Sequence, residues 1–346
     1  MELAEIGDLA ASSEWSRLWA ADPVQHPYYQ AAELGVAVAH FQPLYYLPVE
    51  LRYGPEPGVP VAYDPRHLVA ADDGGPVMGL VLTVERYPGR ARLSAYRRPL
   101  SVVHDPGAGD GRLKSAARLI HRRLEELRAR HGAEPYHVRD RLAGGRLSGL
   151  SELVLRAGGA SRPFFTQVIE LRRPLAEIEA DLRTNVRRIL RRERSGFDLS
   201  VVAGPAAGPE HRDTLRRLHR TMRGHEVRSA ACWDAVLASV RAGAGFLVLG
   251  HERGECIAGA YFPCSARSCY YGIAAHDPAR YGAGLSHLLL WRAIEHAHAR
   301  GCHAFEVGDR VYPGQHAFVE EKLHTISHFK SGYGSGVEVR LDVFAR

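Results

Sequence analysis

Phe246-Leu247-Val248-Leu249 and Cys256-Ile257-Ala258-Gly259-Ala260-Tyr261-Phe262 are two apolar runs separated by the turn Gly250-His251-Glu252-Arg253-Gly254-Glu255. A third, aromatic run follows, Cys269-Tyr270-Tyr271-Gly272-Ile273. Short β-prone runs divided by glycine- and charge-rich turns predict an antiparallel meander. Tyr281-Gly282-Ala283-Gly284 then leads straight into Leu285 to Ile294, where Leu285, Leu288, Leu289 and Arg292-Ala293 keep the helical period. Gly301 ends that helix, and Ala304-Phe305-Glu306-Val307-Gly308-Asp309 returns as a strand. His328-Phe329-Lys330-Ser331-Gly332-Tyr333-Gly334 follows as a strand-to-turn segment, and Val337 to Phe344 is a last strand.

Taken together, the Tyr270-Tyr271-Gly272 strand, the Gly282-Ala283-Gly284 turn, the Phe305-to-Asp309 strand end and the Phe329-to-Gly334 close make an ordered set. Over about ninety residues, that set resembles the Fem peptidyltransferase branch of the GNAT-like acyltransferases. The resemblance implies an α/β chain of two tandem GNAT-like (acyl-CoA N-acyltransferase-like) domains packed around a shared cleft.

Upstream, the chain fits that plan. Trp15, Leu18 and Trp19 share one helical face, and Pro23, Pro27 and Tyr28-Tyr29 mark an irregular approach. Gly54 to Pro65 reads as a surface loop. Leu68-Val69-Ala70, Val77 to Val84 and Arg90 to Tyr96 read as strands, and Leu113 to Arg130 as a basic helix. Tyr136 to Arg139 is a strand, Leu150 to Ala157 a helix and Phe164 to Leu171 a strand. The first half thus repeats the order of the second without repeating its residues. The boundary is expected between Gly158 and Arg173, giving residues 1–163 on the acceptor side and 164–346 on the catalytic, donor side.

Ala176 to Arg194 reads as one helix with Leu182, Val186, Ile189 and Leu190 on its apolar face. Arg183, Arg187, Arg188, Arg191, Arg192 and Arg194 fill the remainder. Like charges stacked at i, i+4 repel. Bidentate donors so clustered suit phosphate, and a solvated amphipathic helix is the competing reading.

Composition sets outer limits. The 346 residues suffice for two domains, and 45% hydrophobic residues support a sizeable core. No apolar run reaches the ~20 residues that span a bilayer. Met1-Glu2-Leu3-Ala4-Glu5 is acidic where a signal peptide is basic, so a cytoplasmic location is expected. Five cysteines without paired spacing fit reduced thiols. A net charge of +6 permits a polyanionic partner without requiring one.

For the chemistry, Asp309 at a strand end and Lys330 facing the same cleft can hold an amine and an ester carbonyl together and offset developing charge. The resemblance implies that Phe329-Lys330 lies at an aminoacyl site. A surface lysine and an ion-paired or capping aspartate remain the alternatives. Phe329, Tyr271, Gly282, Gly284 and Asp105 are expected to border substrate. Asp105, before Pro106, also reads as a plain turn residue, which we favour. The glycine turn exposes N–H groups at a helix start. Acetyl-CoA-dependent GNAT enzymes carry Arg or Gln three residues before the first glycine. Here that residue is Ala279, and Arg280 is off by one. His296, His298, Cys302 and His303 match no closed zinc pattern, so no metal is expected.

The function implied is transfer of an aminoacyl group from aminoacyl-tRNA to an amine of a small acceptor, with no further cofactor. The long helical hairpin of some cell-wall Fem proteins has no counterpart, which points to specialised-metabolite (peptide or nucleoside antibiotic) biosynthesis. An acyl-CoA-dependent N-acyltransferase and a non-catalytic RNA-binding protein are the two rivals.

Overall fold

The computed structural model describes residues 1–39, 60–193, 196–315, 321–334 and 336–346. Among these, the strands form four sheets. In the first half, Glu2–Ile6, His67–Asp72, Gly75–Leu80 and Val102–His104 make one sheet; Ala62–Pro65, Thr83–Tyr87 and Arg90–Ser94 make another. In the second half, Asp198–Ala203, Gly245–Glu252, Glu255–Pro263 and Ile273–His276 pair antiparallel. The fourth sheet joins the halves, in the order Ser268–Tyr270, Ala304–Arg310, Ala160–Glu170, Val337–Phe344, His137–Asp140.

That fourth sheet contains a reciprocal exchange. Ala160–Glu170, which closes the first half, pairs along Ala304–Arg310 of the second. Val337–Phe344, which closes the second, pairs along His137–Asp140 of the first. The two closing strands also pair with each other over eight registered positions. Residue 163 therefore falls inside an unbroken strand, and Val343 and Ala345 pack into the first half's core.

The expected duplication is visible in the connections. In the second half, Ser268–Tyr270 runs parallel to Ala304–Arg310, after which Ile273–His276 turns to pair antiparallel with Glu255–Pro263. In the first half, Leu100 bridges parallel to Val138, after which Val102–His104 pairs antiparallel with Gly75–Leu80. Long helices, Asp110–His131 and Leu285–Ala299, follow at the same point of each half. Each core is apolar: Leu68, Leu80, Ile120 and Leu124 in one, Phe246, Phe262, Leu290 and Phe305 in the other.

Several local expectations are corrected. The aromatic run is two strands belonging to different sheets, split at Tyr271-Gly272, because a meander cannot serve two splayed sheets at once. Val77 to Val84 likewise divides into Gly75–Leu80 and Thr83–Tyr87. The Ala176-to-Arg194 helix is two, Leu175–Asp181 and Thr184–Glu193, broken where Leu182 takes ψ 145° and buries its side chain. Ala62–Pro65 is a strand; the rest of the loop expected over 54–65 lies outside the described residues through 59, as does Arg194. Lys330 closes the helix Glu321–Lys330 and is not on a strand-to-turn segment. A second early helix, Ala31–Ala39, and the strand Asp198–Ala203 had no legible signal.

Candidate active site

Ala304–Arg310 carries the chemistry because of one irregularity. Its register against Ala160–Glu170 shifts between Glu306 and Gly308, and Gly308 takes φ +110°. That backbone conformation favours glycine. A Cβ built on residue 308 would meet Lys330 Nζ at 2.5 Å and Tyr270 Oη at 3.3 Å. Lys330 and Tyr270 therefore converge over the bare backbone of Gly308, immediately before Asp309. Burial pushes the Lys330 ammonium down from its usual range, and the carboxylates of Asp309 and Glu306 oppose that shift. Burial also holds the Tyr270 phenol well up, so it stays an O–H donor.

The 3₁₀ turn Pro27–Tyr29 of the first half places a second phenol. Tyr28 and Tyr270 have ring centroids 4.4 Å apart. Tyr28 is fixed by His26, whose Nδ1 accepts from the Tyr28 N–H at 3.2 Å. With Nδ1 occupied as an acceptor, Nε2 bears the proton and donates to Glu306 Oε2 at 3.1 Å. Glu306 also receives Arg340 Nη2 at 2.6 Å, Arg340 Nη1 at 3.2 Å and the Thr166 hydroxyl at 3.0 Å. Although burial alone would raise it, the Arg340 charge and His26 hold the Glu306 carboxyl well below its usual range. His26, Glu306 and Arg340 are all buried. This satisfied cluster ties the Pro27–Tyr29 turn of the first half to the exchanged strands. Removing one partner from such a buried charged group costs about 3–5 kcal/mol. Both ring nitrogens of His26 are thus committed, so His26 positions Tyr28 and is not a free base.

A cleft of about 140 Å³ is lined by Asp309, Tyr28, Tyr270, His26, Glu306 and Arg340, and Lys330 lies beside it next to Tyr270. Its walls come from both halves.

The expected site residues separate into groups. Lys330 and Asp309 are brought together. Phe329 points into an aromatic cluster with His287 (4.7 Å), Tyr333 (5.6 Å) and Tyr271 (6.4 Å). Tyr271 follows Tyr270 directly, lies in the split itself and packs on Phe262. His287 Nδ1 and the Tyr333 hydroxyl lie 2.7 Å apart, anchoring the cluster to the helix that Gly284 starts. Gly284 is left-handed at φ 66° and caps that helix; Gly282 lies in the preceding 3₁₀ turn, Pro278–Ala283. Arg280 pairs with Glu252 at 2.5 Å, so it is engaged on the protein's own carboxylate. Asp105 accepts from the Gly107 N–H at 2.9 Å in a turn and does not line the cleft.

Of the arginines expected to meet tRNA, Arg183 is committed internally. It donates to the His328 carbonyl at 3.2 Å and also contacts the Ser331 hydroxyl, gripping the turn after Lys330. Arg187 is half-buried beside Thr184. Arg188, Arg191 and Arg192 are exposed on the helix that leads away from that turn.

Sequence reasoning passed over His26, Tyr28, Tyr270, Glu306 and Arg340 as site residues. Glu306 and Tyr270 were inside quoted motifs but looked like ordinary alternating strand positions. His26 and Arg340 are 280 and 34 residues from Glu306 in the chain, and no local spacing links them.

Residues 180–317 match the model of a family described as an acetyltransferase (GNAT) domain. No curated protein matches the chain. Among solved structures, FemX matches over 99% of this chain and 97% of its own, with TM-score 0.69 and 11% identity. A tandem GNAT protein from the clavulanic acid biosynthesis pathway covers the same shares at TM-score 0.52 and 16% identity. L-PGS from Bacillus licheniformis matches 81% of this chain and 84% of its own at TM-score 0.54 and 13% identity. At such identities the likeness is one of fold. The chain has the tandem GNAT fold, and its C-terminal half carries the match to an acetyltransferase (GNAT) domain.

Proposed function

We propose that the protein transfers an aminoacyl group from aminoacyl-tRNA to the amine of a small acceptor, forming an amide. The observation that carries this reading is the path from the basic helix to Lys330. Arg183 grips the turn that follows Lys330, and the exposed Arg188, Arg191 and Arg192 continue from it. A phosphate chain following those arginines would deliver its ester end to the Lys330–Tyr270 point. FemX, whose fold this chain shares, belongs by name with the peptidyltransferases that the sequence motifs resemble.

In this reading the acceptor enters as a neutral amine. Its nitrogen lone pair attacks the ester carbonyl carbon, and the carbonyl π pair moves onto oxygen. Lys330 and Tyr270 stabilise that oxyanion from preset positions. The tetrahedral centre collapses, the bond to the ribose oxygen breaks, and Asp309 carries the amine proton to that oxygen. The ester is already activated, so the balance closes with no further reactant.

A charged tRNA pool bearing labelled amino acids, incubated with small amines, should give labelled amides that vanish on ribonuclease treatment. Acyl-CoA-dependent N-acylation is the second reading, favoured by the family match over residues 180–317. Amide formation from acetyl-CoA and none from charged tRNA would decide for it.

A further inference from the structure

Six arginines line the cleft: Arg97, Arg98, Arg139, Arg141, Arg228 and Arg340. Four have evident employment within the fold. Arg340 is held by Glu306 and Glu338, and Arg139 makes two bonds to Asp342. Arg141 lies 3.8 Å from Asp22. Arg97 donates to the carbonyls of Ala37 and Val38, and its charge acts on the Glu85 carboxyl.

Arg98 and Arg228 are different. Arg98 Nη1 donates to the Tyr28 carbonyl at 2.7 Å, and its guanidinium lies 3.9 Å over the Tyr28 ring. Arg228 reaches the Cys232 thiol at 3.9 Å, and its Nε is buried with no acceptor among the described residues. A carbonyl, a ring face and a thiol do not neutralise a cation, and neither arginine has a carboxylate partner among the described residues. Glu33 also lines this cleft but forms no ion pair with either arginine among the described residues. It accepts from the Ser239 hydroxyl at 2.6 Å and from that of Tyr261, and burial pushes its carboxyl up while these bonds and the Arg98 charge oppose that shift. Holding a desolvated cation without a counter-charge is costly unless a ligand supplies the charge.

Both cations line the cleft together with Tyr28. Arg98 stacks on the Tyr28 ring. Tyr28 in turn packs on Tyr270, which faces Lys330. The cleft therefore has an amine-handling end at Asp309 and Tyr270, with Lys330 beside Tyr270, and an anion-handling end at Arg98 and Arg228. A cavity of about 140 Å³ suits an occupant near the size of benzene more than a nucleotide or a lipid. Planar guanidinium groups bind carboxylates in bidentate fashion.

We infer that the acceptor is a small amino-carboxylate, an amino acid or its close analogue, whose carboxylate is bound by Arg98 and Arg228. The direction of the amine rests on the amide-forming reading above; the anion subsite does not depend on the donor.

The test uses the full chain and needs no tRNA. The twenty proteinogenic amino acids, their carboxamides, phosphoethanolamine and inorganic phosphate are each titrated by calorimetry and by thermal shift. The expected result is at least one free acid binding ten-fold or more tighter than its amide. That preference should disappear in Arg228→Gln and, independently, in Arg98→Gln, while Arg228→Lys retains part of it. Equal binding of acid and amide would overturn the inference. So would a preference for the phosphate compounds, or no binding anywhere in the panel. Acid-selective binding in a protein that makes no product from charged tRNA would leave the subsite standing and defeat the donor reading alone.

Discussion

Gly308 and Lys330 occupy each other's space: the Lys330 ammonium lies 2.5 Å from where a Cβ on residue 308 would be. Gly308→Ala therefore carries two penalties. The methyl group must displace Lys330, and φ +110° costs an L-residue roughly 1–3 kcal/mol. The melting temperature should fall and turnover should fall further than stability explains. Unchanged turnover in the folded variant would show that Lys330 is not held at that point for chemistry.

Lys330→Met keeps much of the stem and removes the charge. If Lys330 stabilises the oxyanion, kcat should fall ~100- to 1,000-fold with tRNA binding retained. Single-turnover rates with charged tRNA provide the measurement, and circular dichroism melting verifies the fold. A variant within a few-fold of the parent would remove Lys330 from the mechanism.

The basic residues should divide by role. Arg188→Gln and Arg191→Gln remove exposed donors. Each should weaken tRNA binding and flatten its salt dependence by about one unit of log–log slope. Arg183→Gln should instead lower stability, because it releases the turn from His328 to Ser331. Identical behaviour of all three variants would contradict this division.

Stability should decline on acidification before the carboxylates titrate. Burial pushes His67, His219 and His287 from 6.5 down to about 4. The unfolded chain takes up protons at these sites from about pH 6.5 downward, while the folded sites refuse them until about pH 4. The unfolded state thus binds more protons in this window, and stability falls as pH falls. Glu306, held below its usual range, adds a further loss at lower pH by the same sign. Urea midpoints at pH 7, 5.5 and 4.5 should decrease in that order; a flat series would mean that these histidines protonate freely in the fold.

Neither half should fold alone. Residues 1–163 lack Val337–Phe344, the strand that pairs with His137–Asp140 and supplies Val343 to the first core. Residues 164–346 lack most of the backbone partners of Val337–Phe344. Separately expressed halves should show no cooperative melting, whereas co-expressed halves should recover it. A cooperative transition in residues 1–163 alone would refute the interdependence.

The sequence by itself determined most of the strands and helices that build the two cores, because hydrophobic period and glycine turns are local signals, but not Ala31–Ala39, Asp198–Ala203 or the helix that Lys330 closes. Leu285 to Ile294 reads as a helix, and Phe305 to Asp309 as a strand, from their own residues. Asp309 and Lys330 are candidates because their motifs resemble those of a known family, not because of a local period. What only the tertiary structure decided depends on residues that are remote in the chain. The exchange of closing strands leaves no local mark, since either strand would look the same paired within its own half. Tyr270 and Tyr271 are adjacent, so strand alternation sends them to opposite faces, but only the packing of the two sheets decides which face is the cleft and which the core. Arg183 could not be told from Arg191 by period, because its partners His328 and Ser331 arrive from nearly 150 residues away. The His26–Glu306–Arg340 cluster exists only because desolvation forces buried charges to find each other across the fold.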